Sequence, residues 1–292
     1  MTFSLILATI GRYDEVRRFL ESLAAQPHRD FELIVADQNE SNEVELLCQE
    51  YSSTMDIKCL HLDRAGLSFA RNAGLRVAQG DVVAFPDDDC EYPPSLLDDV
   101  REWLDGHPQA DLLAGTTRDR ATARITVARY DAEAGPINCN NVWRRQTSCS
   151  IFVRRKVFDS VGLFDERLGL PDGAAEDADI VLRAVEAGYR TWYSPDIIVY
   201  HPRPLGQLGP SALARAYRYG FGIGAVFGKH IVARRNFRMI PQLLAHLLRP
   251  LGGCLLYSLV DPTRSRYYLR CLAGRISGFV RYRASPRRLE GS

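Results

Sequence analysis

The stretch VVAFPDDD, residues 82–89, leads a short apolar run directly into three consecutive aspartates. The run from Val82 to Phe85 has the length and composition of a buried β-strand. Three adjacent carboxylates at the end of such a strand repel one another and destabilise the fold unless a positive charge offsets them. The stretch therefore predicts either a solvated acidic turn or a site that binds a cation.

Three further apolar runs precede this strand, and each is followed by a stretch with a helical pattern. The runs are FSLILATIG (3–11), FELIVADQNES (31–41) and IKCLHL (57–62). The helical stretches are YDEVRRFLESLAAQ (13–26), EVELLCQEY (43–51) and GLSFARNAGLRVAQG (66–80). In the last of these we expect Ser68 to cap the helix and Gly80 to follow its end. Such alternation predicts an α/β fold with a mainly parallel, mixed sheet flanked by helices.

Polar residues stand where three of these strands end. Thr9 lies near the end of the first run, Asp37 lies where the second turns polar, and Asp87–Asp89 follow the fourth. Ligands of parallel sheets bind at the carboxyl ends of the strands. We therefore expect these side chains to meet at one edge of the sheet.

Farther along the chain, the elements are shorter until a clear helix appears. AEDADIVLRAVEAG (175–188) predicts a helix with an acidic first turn and Gly188 at its end, and YRTWYSPDIIVYHP (189–202) predicts two short strands. After Pro204 the composition changes, and small, aromatic and basic residues predominate. We therefore predict two domains, residues 1–204 and a helical, basic extension, residues 205–292.

The charge of the chain is divided unevenly. The whole sequence of 292 residues has a net charge of +1, yet residues 203–292 contain 16 Lys and Arg against 2 Asp and Glu. Arginines interleaved with Tyr, Phe and Leu are typical of helices that lie on anionic lipid. A soluble helical subdomain that forms a homodimer, and a nucleic-acid-binding tail, are the alternatives. Pro241, His246, Arg249 and Pro250 interrupt the longest apolar segment and argue against a transmembrane span.

The seven cysteines are scattered and include no CxxC pair. This usage predicts neither a disulfide framework nor a zinc site, and it fits a reducing cytosol. The N-terminus lacks the basic region and the long apolar run of a signal peptide. We expect a cytoplasmic protein, peripheral on the cytoplasmic face of the membrane if the extension binds lipid.

The aspartates themselves suggest a metal. In extended chain Asp87 and Asp89 point to the same side, and hard carboxylate oxygens suit Mg²⁺ or Mn²⁺ that also binds a phosphate. A calcium loop is excluded because Tyr92 occupies the position of its required glycine. A cluster that caps the following helix remains an alternative, as does the solvated turn.

Two later groups could complete an active site. Asp177 lies in the first turn of the predicted helix, where it could act as a general base. We expect the helix dipole and capping bonds to keep its carboxylate ionised. His201, after an apolar run, could ligate Mn²⁺ beside a carboxylate. Each group alone is more often structural, Asp177 as a helix cap and His201 as a packing residue.

Taken in order, these segments resemble family 2 of the glycosyltransferases, which has the GT-A fold. The segments are ILATIGR, LIVADQNES, GLSFARNAG, VAFPDDD, VGLFDERLG, AEDADIVLRA and VYHP. The resemblance extends from about Phe3 to Pro204, and the order of seven weak motifs makes it specific. The commonest family pattern after the second strand is DDGS, whereas this chain has DQNE. That departure leaves the identity of the nucleotide open.

The resemblance implies roles for individual residues. It implies a nucleotide-sugar site formed by Thr9, Arg12, Asp37, Arg71, Asp87 and Asp88. It implies a divalent cation, Mn²⁺ or Mg²⁺, held by Asp89 with Asp87 and His201. It implies Asp177 as the catalytic base, with Glu176 beside it.

The activity implied is inverting transfer of a sugar from a nucleotide-sugar, with UDP favoured, to a hydroxyl of a saccharide or lipid-linked acceptor in polysaccharide biosynthesis. No nucleic acid is expected as a partner. A nucleotidyltransferase of related fold is the enzymatic alternative, although LATIGRYDE offers only one glycine and one arginine for a phosphate loop. An inactive scaffold is disfavoured because Asp87, Asp89 and Asp177 are all present.

Overall fold

The computed structural model describes residues 1–169, 174–202 and 208–284. The chain divides into two compact units, each with its own packing. Unit 1 comprises Met1–Phe164 and Asp177–Pro204, and unit 2 comprises Asp165–Glu176 and Leu205–Ser292. The short segment Asp165–Glu176, which the sequence analysis places in the first domain, therefore groups with unit 2.

The bounds of the regular elements are as follows. The strands are β1 (Phe3–Thr9), β2 (Phe31–Asp37), β3 (Asp56–His61), β4 (Val82–Ala84), β5 (Leu112–Arg118), β6 (Gly135–Pro136), β7 (Ile151–Arg154) and β8 (Thr191–Tyr200). The helices are α1 (Tyr13–Ala24), α2 (Glu43–Tyr51), α3 (Leu67–Leu75), α4 (Leu96–Gly106), α5 (Lys156–Val161), α6 (Glu176–Glu186), α7 (Pro210–Phe227), α8 (Ile240–Tyr257) and α9 (Pro262–Ala284).

The strands described in unit 1 form one eight-stranded sheet in the order β3-β2-β1-β4-β7-β5-β8-β6. Strands β3, β2, β1 and β4 are parallel. Strand β7 is antiparallel to both β4 and β5, whereas β5 and β8 are parallel. The predicted α/β fold with a mixed sheet flanked by helices is confirmed.

The central strands are apolar because both of their faces are covered. Every residue of β2 is buried, and β1 is buried except at Ala8. Helix α1 packs Val16, Phe19, Leu20 and Leu23 into the same core, the face that its periodicity predicts. Continuous apolar strands of this kind are characteristic of parallel sheets buried on both sides.

Two predicted details of α3 are wrong. Gly66, not Ser68, occupies the N-cap position, and Ser68 is buried within the first turn. The helix ends at Leu75, so Gly80 is not its terminating residue. Gly80 instead lies against the start of β1, and its N–H donates to Ser4 Oγ at 2.7 Å. This close approach fixes where β4 begins, just two residues later.

The segment that precedes His201 also differs from its prediction. Residues Thr191–Tyr200 form the single strand β8 rather than two short strands. The pairing with β5 shifts register opposite Ala114 and Thr116. An irregularity of this kind breaks the apolar alternation, which is why the sequence suggested two elements.

In unit 2, helices α7 and α9 pack closely against each other. A side chain at Gly224 would collide with the carbonyl oxygen of Arg275, and one at Gly278 with that of Phe221. Only glycine lets α7 and α9 approach so closely. The unit also contains the buried Asp165, which accepts hydrogen bonds from Lys229 Nζ at 2.9 Å and from the Tyr282 hydroxyl at 2.7 Å.

We expect Gly80→Ala to destabilise the protein by about 1–3 kcal/mol, the usual effect of forcing extra atoms into a packed interior. Its new Cβ would lie 2.6 Å from the backbone nitrogen of Ser4. Gly106→Ala is the matched control, because nothing lies within 4 Å of the Cβ it would add. Urea unfolding of the two variants measures the difference. Equal stabilities would contradict the proposed packing of Gly80 against β1.

Candidate active site

Strand register brings the predicted polar residues to one edge of the sheet. Thr9 is the partner of Asp37 across β1 and β2, and both are buried. One residue earlier, Ala8 pairs with Asp87 in an isolated parallel bridge just beyond β4. The predicted convergence at the carboxyl ends of these strands is therefore present in the geometry.

Arg12 offsets two of the three aspartates. Its Nη1 lies 3.0 Å from Asp88 Oδ1 and 2.6 Å from Asp89 Oδ2. The hydroxyl of Thr9 donates to Asp88 Oδ2 at 3.0 Å. Both residues hold the aspartates in place, and their contact with a nucleotide stays a prediction.

Asp87 has a different set of partners. Arg71 reaches it from α3, with 3.1 Å between Nη2 and Oδ1, and the Arg71 side chain is 1% exposed. The hydroxyl of Ser148 donates to the same Oδ1 at 3.3 Å. A buried guanidinium interacts strongly with a carboxylate because solvent screens the pair little.

His201 closes the other side of the aspartate cluster. Backbone hydrogen bonds between Glu91 and Tyr200, at 2.8 and 3.0 Å, hold the end of β8 beside the segment that follows Asp89. As a result His201 Nε2 lies 3.2 Å from Asp89 Oδ1 and 3.9 Å from Asp87 Oδ2.

Asp87, Asp89 and His201 could together hold a metal ion. Each offers one ligand atom, and these atoms all lie within 4.8 Å of one another. Two carboxylate oxygens and an imidazole nitrogen form a donor set that suits Mn²⁺, and Mg²⁺ accepts the carboxylates. The residues present therefore fit the divalent cation that the sequence analysis expects.

Burial and ion pairing move the pKa values of this cluster in opposite directions. Burial raises the pKa of Asp88 to about 6, although Arg12 and Thr9 favour its charged form. Burial also opposes ionisation of Asp89, yet hydrogen bonding and charge from His201 and Arg12 lower its pKa to about 2. Burial disfavours protonated His201, but Asp89 outweighs this and raises the pKa of the imidazole above 6.5.

Asp177 lies close to this cluster. It is the second residue of α6, and its Oδ1 accepts the N–H of Ala178 at 2.7 Å. It also accepts the backbone N–H of Ser148 and is near enough to interact with the charges of Arg71 and Asp87. The geometry thus brings a predicted base to the predicted metal ligands.

The expected capping bond is present at Asp177, but burial, which the sequence did not show, acts against it. Burial raises the pKa of this carboxyl, and this effect outweighs the N–H of Ala178 and the charge of Arg71. A carboxyl with a raised pKa is a better proton acceptor when it is ionised.

Asp37 bonds within its own loop, and Glu176 belongs to the other compact unit. Asp37 Oδ1 accepts the side-chain N–H of Asn39 at 2.6 Å and its backbone N–H at 3.0 Å. Glu176 begins α6 and is buried, but it groups with unit 2 rather than with Asp177.

Sequence reasoning missed two polar residues at this edge. Ser148 contacts both Asp87 and Asp177, and it begins the short 3-10 helix Ser148–Ser150, which has no periodic sequence pattern. Asn39 bonds to Asp37 and also accepts the N–H of Gly11 at 2.6 Å. Its position in DQNE, two residues after a strand-end aspartate, was a usable signal.

The structural alternatives for the aspartates are wrong. Asp88 is 9% exposed, so the triplet is not a solvated turn. Ser95, not an aspartate of the triplet, occupies the N-cap position of α4.

Comparison with known proteins adds four similarities. The sequence profile of Glycosyl transferase family 2 matches residues 4–162. Glycosyltransferase AglE of Haloferax volcanii is 27% identical over 254 residues, which are 84% of this chain and 81% of AglE. The structure of S. aureus TarS 1–349 in complex with UDP-GlcNAc has a TM-score of 0.59 at 18% identity and covers 95% of this chain and 91% of its own. Mannosyltransferase PcManGT from Pyrobaculum calidifontis, in complex with GDP-Man and Mn²⁺, has a TM-score of 0.66 at 16% identity, with coverage of 94% and 86%.

We expect Mn²⁺ to raise the melting temperature, and the shift to grow as the pH rises from about 6 to about 8. Protonated His201 has no lone pair for a metal, and its pKa is raised, so a cation must displace a proton in mildly acid solution. His201→Gln should weaken both the shift and its pH dependence, leaving the part due to Asp88, whose pKa is about 6. His61→Gln, at an exposed position on β3, is the control. A His201→Gln variant that responds like the wild type would remove His201 from the metal site.

Proposed function

The chain belongs to glycosyl transferase family 2, and we propose that it is a metal-dependent, inverting member of that family. Its donor would be a nucleotide-sugar, with UDP as the favoured nucleotide. Its acceptor would be a hydroxyl of a saccharide or a lipid-linked saccharide in polysaccharide biosynthesis. Family membership argues against the nucleotidyltransferase and the nucleic-acid-binding alternatives.

The main support for this proposal is the proximity of the candidate metal ligands to the candidate base. The metal-ligand set of Asp87, Asp89 and His201 lies beside Asp177, which interacts with the charge of Asp87 and is bonded to Ser148. Transfer from a nucleotide-sugar needs a cationic place for a diphosphate and, near it, a base for the attacking hydroxyl. Unit 1 contains candidate residues for both requirements, which supports the proposal.

The aspartates would hold the cation that the donor requires. A diphosphate would otherwise be repelled by Asp87 and Asp89, and a bound Mn²⁺ or Mg²⁺ supplies charge neutralisation for the departing nucleoside diphosphate. Arg12 and Arg71 keep the carboxylates fixed, so the ligand set is preorganised before the donor arrives.

The carboxyl ends of β1 and β2 would bind the nucleoside of the donor. Thr9 and Asp37 are adjacent across β1 and β2 at the same edge as the aspartates. Asn39 orients the Asp37 carboxylate. The two structural neighbours contain UDP-GlcNAc and GDP-Man, which are therefore the two donor classes to compare first.

Asp177 would accept the proton of the acceptor hydroxyl. As that proton moves to the carboxylate, the hydroxyl oxygen bonds to the anomeric carbon and the bond to the nucleoside diphosphate breaks. Attack from the face opposite the leaving group inverts the configuration in a single displacement. The N–H groups of Ala178 and Ser148 orient the carboxylate, and its raised pKa favours proton transfer.

Asp177→Asn should leave donor binding intact and lower turnover by about 10²- to 10⁴-fold, the usual contribution of a general base. The amide retains the shape of the carboxylate but cannot accept the proton. Calorimetry measures donor binding, and release of the nucleoside diphosphate in the presence of an acceptor measures turnover.

Asp159→Asn is the matched control, because Asp159 is an exposed aspartate on α5 in the same unit. It should behave as the wild type does in both assays. Near-normal turnover of Asp177→Asn would exclude Asp177 as the base. Loss of donor binding in that variant would instead assign Asp177 to the donor site.

A further inference from the structure

Helix α8 exposes a row of large apolar side chains. The row, here called the α8 stripe, begins with Phe237 in the 3-10 turn just before the helix and continues with Ile240, Leu244, Leu248, Leu251 and Leu255. Its members are three or four residues apart and so lie on one face of the helix. Leu248 and Leu255 are 63% and 67% exposed, and Leu259, beyond the helix, is 94% exposed. A contiguous apolar face of this kind marks an interaction surface.

The opposite face of α8 is packed within unit 2. The ring of His246 contacts that of Phe227, and Arg275 of α9 donates to the His246 carbonyl oxygen. Tyr257 stacks on Tyr268, with 5.8 Å between their ring centroids. The helix is therefore fixed by one face, and the stripe is the face that the described residues leave uncovered.

Exposed arginines flank the stripe at both ends. They are Arg234, Arg235 and Arg238 around its first residue, and Arg264, Arg266 and Arg270 after it. Between residues 208 and 282 the sequence has 12 basic residues and one acidic residue, Asp261. Asp261 Oδ2 lies 3.6 Å from Arg264 Nε, so its charge is already paired. The surface around the stripe thus complements a negatively charged partner.

We propose that the α8 stripe docks unit 2 on the surface of an anionic lipid bilayer. The apolar side chains would enter the boundary between headgroups and acyl chains, and the arginines would contact lipid phosphates. A row of leucines bordered by cations matches this partner in both hydrophobicity and charge. Docking is independent of the proposed transfer reaction, because it needs neither donor nor metal.

The helix would lie in the membrane surface rather than cross it. By length and composition alone, residues Phe237–Tyr257 could span a membrane. However, the packed face of α8 attaches it to α9, which carries arginines along its length. Moving α8 into the hydrocarbon would take those arginines with it, and charged side chains there are strongly disfavoured. An interfacial position keeps the arginines of α9 among the headgroups and in the water beside them.

Co-sedimentation with lipid vesicles tests the proposal on the full-length chain. We expect binding to vesicles of phosphatidylcholine with about one-third phosphatidylglycerol, and weaker binding to pure phosphatidylcholine or at high salt. Leu248→Gln/Leu255→Gln should lower the partition coefficient about tenfold or more, because two leucines would no longer be buried in lipid. Leu46→Gln/Ile125→Gln is the matched control, since both residues are half-exposed in unit 1.

A second pair of variants tests how much the charge of the arginines contributes to vesicle binding. Arg234→Gln/Arg235→Gln/Arg238→Gln should weaken binding to anionic vesicles and reduce its salt dependence. Arg18→Gln/Arg29→Gln/Arg76→Gln removes three exposed arginines of unit 1 and should leave binding unchanged. Circular dichroism of all variants shows that each is folded.

Several results would overturn the proposal. These are no binding of the wild type to anionic vesicles, or equal binding of the stripe variant and its control. Resistance of the bound chain to extraction at alkaline pH would indicate a spanning helix instead. Self-association that the stripe variant abolishes, without any vesicle binding, would assign the stripe to an interface between two copies of the chain.

Discussion

Mutual repulsion among the carboxylates of Asp87–Asp89 is the constraint on which the site depends. Three positive or protonatable groups offset this repulsion, and each comes from a different part of unit 1. They are Arg12 after β1, Arg71 on α3 and His201 after β8. Because each group must reach the same point, the strands and the helix that carry them are fixed relative to one another. The same contacts leave two carboxylates and an imidazole preorganised around a space that suits a divalent cation.

The part of the fold that follows from strand order was predictable from the sequence. Apolar runs separated by helical stretches indicate parallel strands, and the carboxyl ends of parallel strands meet at one edge. For this reason Thr9, Asp37 and Asp87 could be predicted to lie together, and the pairing of β1 with β2 and with the residues after β4 places them side by side. The buried face of α1 was predicted equally well, because helical periodicity depends only on neighbours along the chain.

What the sequence did not show depends on contacts between distant residues. Ser148 lies in a three-residue 3-10 helix that has no sequence pattern, and its role is evident only from its contacts with Asp87 and Asp177. Burial reverses the expected pKa direction of Asp177, and burial depends on the whole surrounding structure. Likewise, the apolar content of α8 was visible in the sequence, but only the packing of its other face shows that the stripe is exposed.

Calorimetric titration of UDP into the protein, with and without Mn²⁺, tests the central claim most directly when repeated on Asp89→Ala. The account predicts binding that requires the metal and is lost in the variant, because the carboxylate that Arg12 and His201 hold in its ionised form is then absent. Metal-dependent binding of GDP or dTDP alone would support the metal site but identify a different donor nucleotide. Metal-independent binding of UDP that Asp89→Ala leaves unchanged, or no nucleotide binding under any condition, would contradict the account.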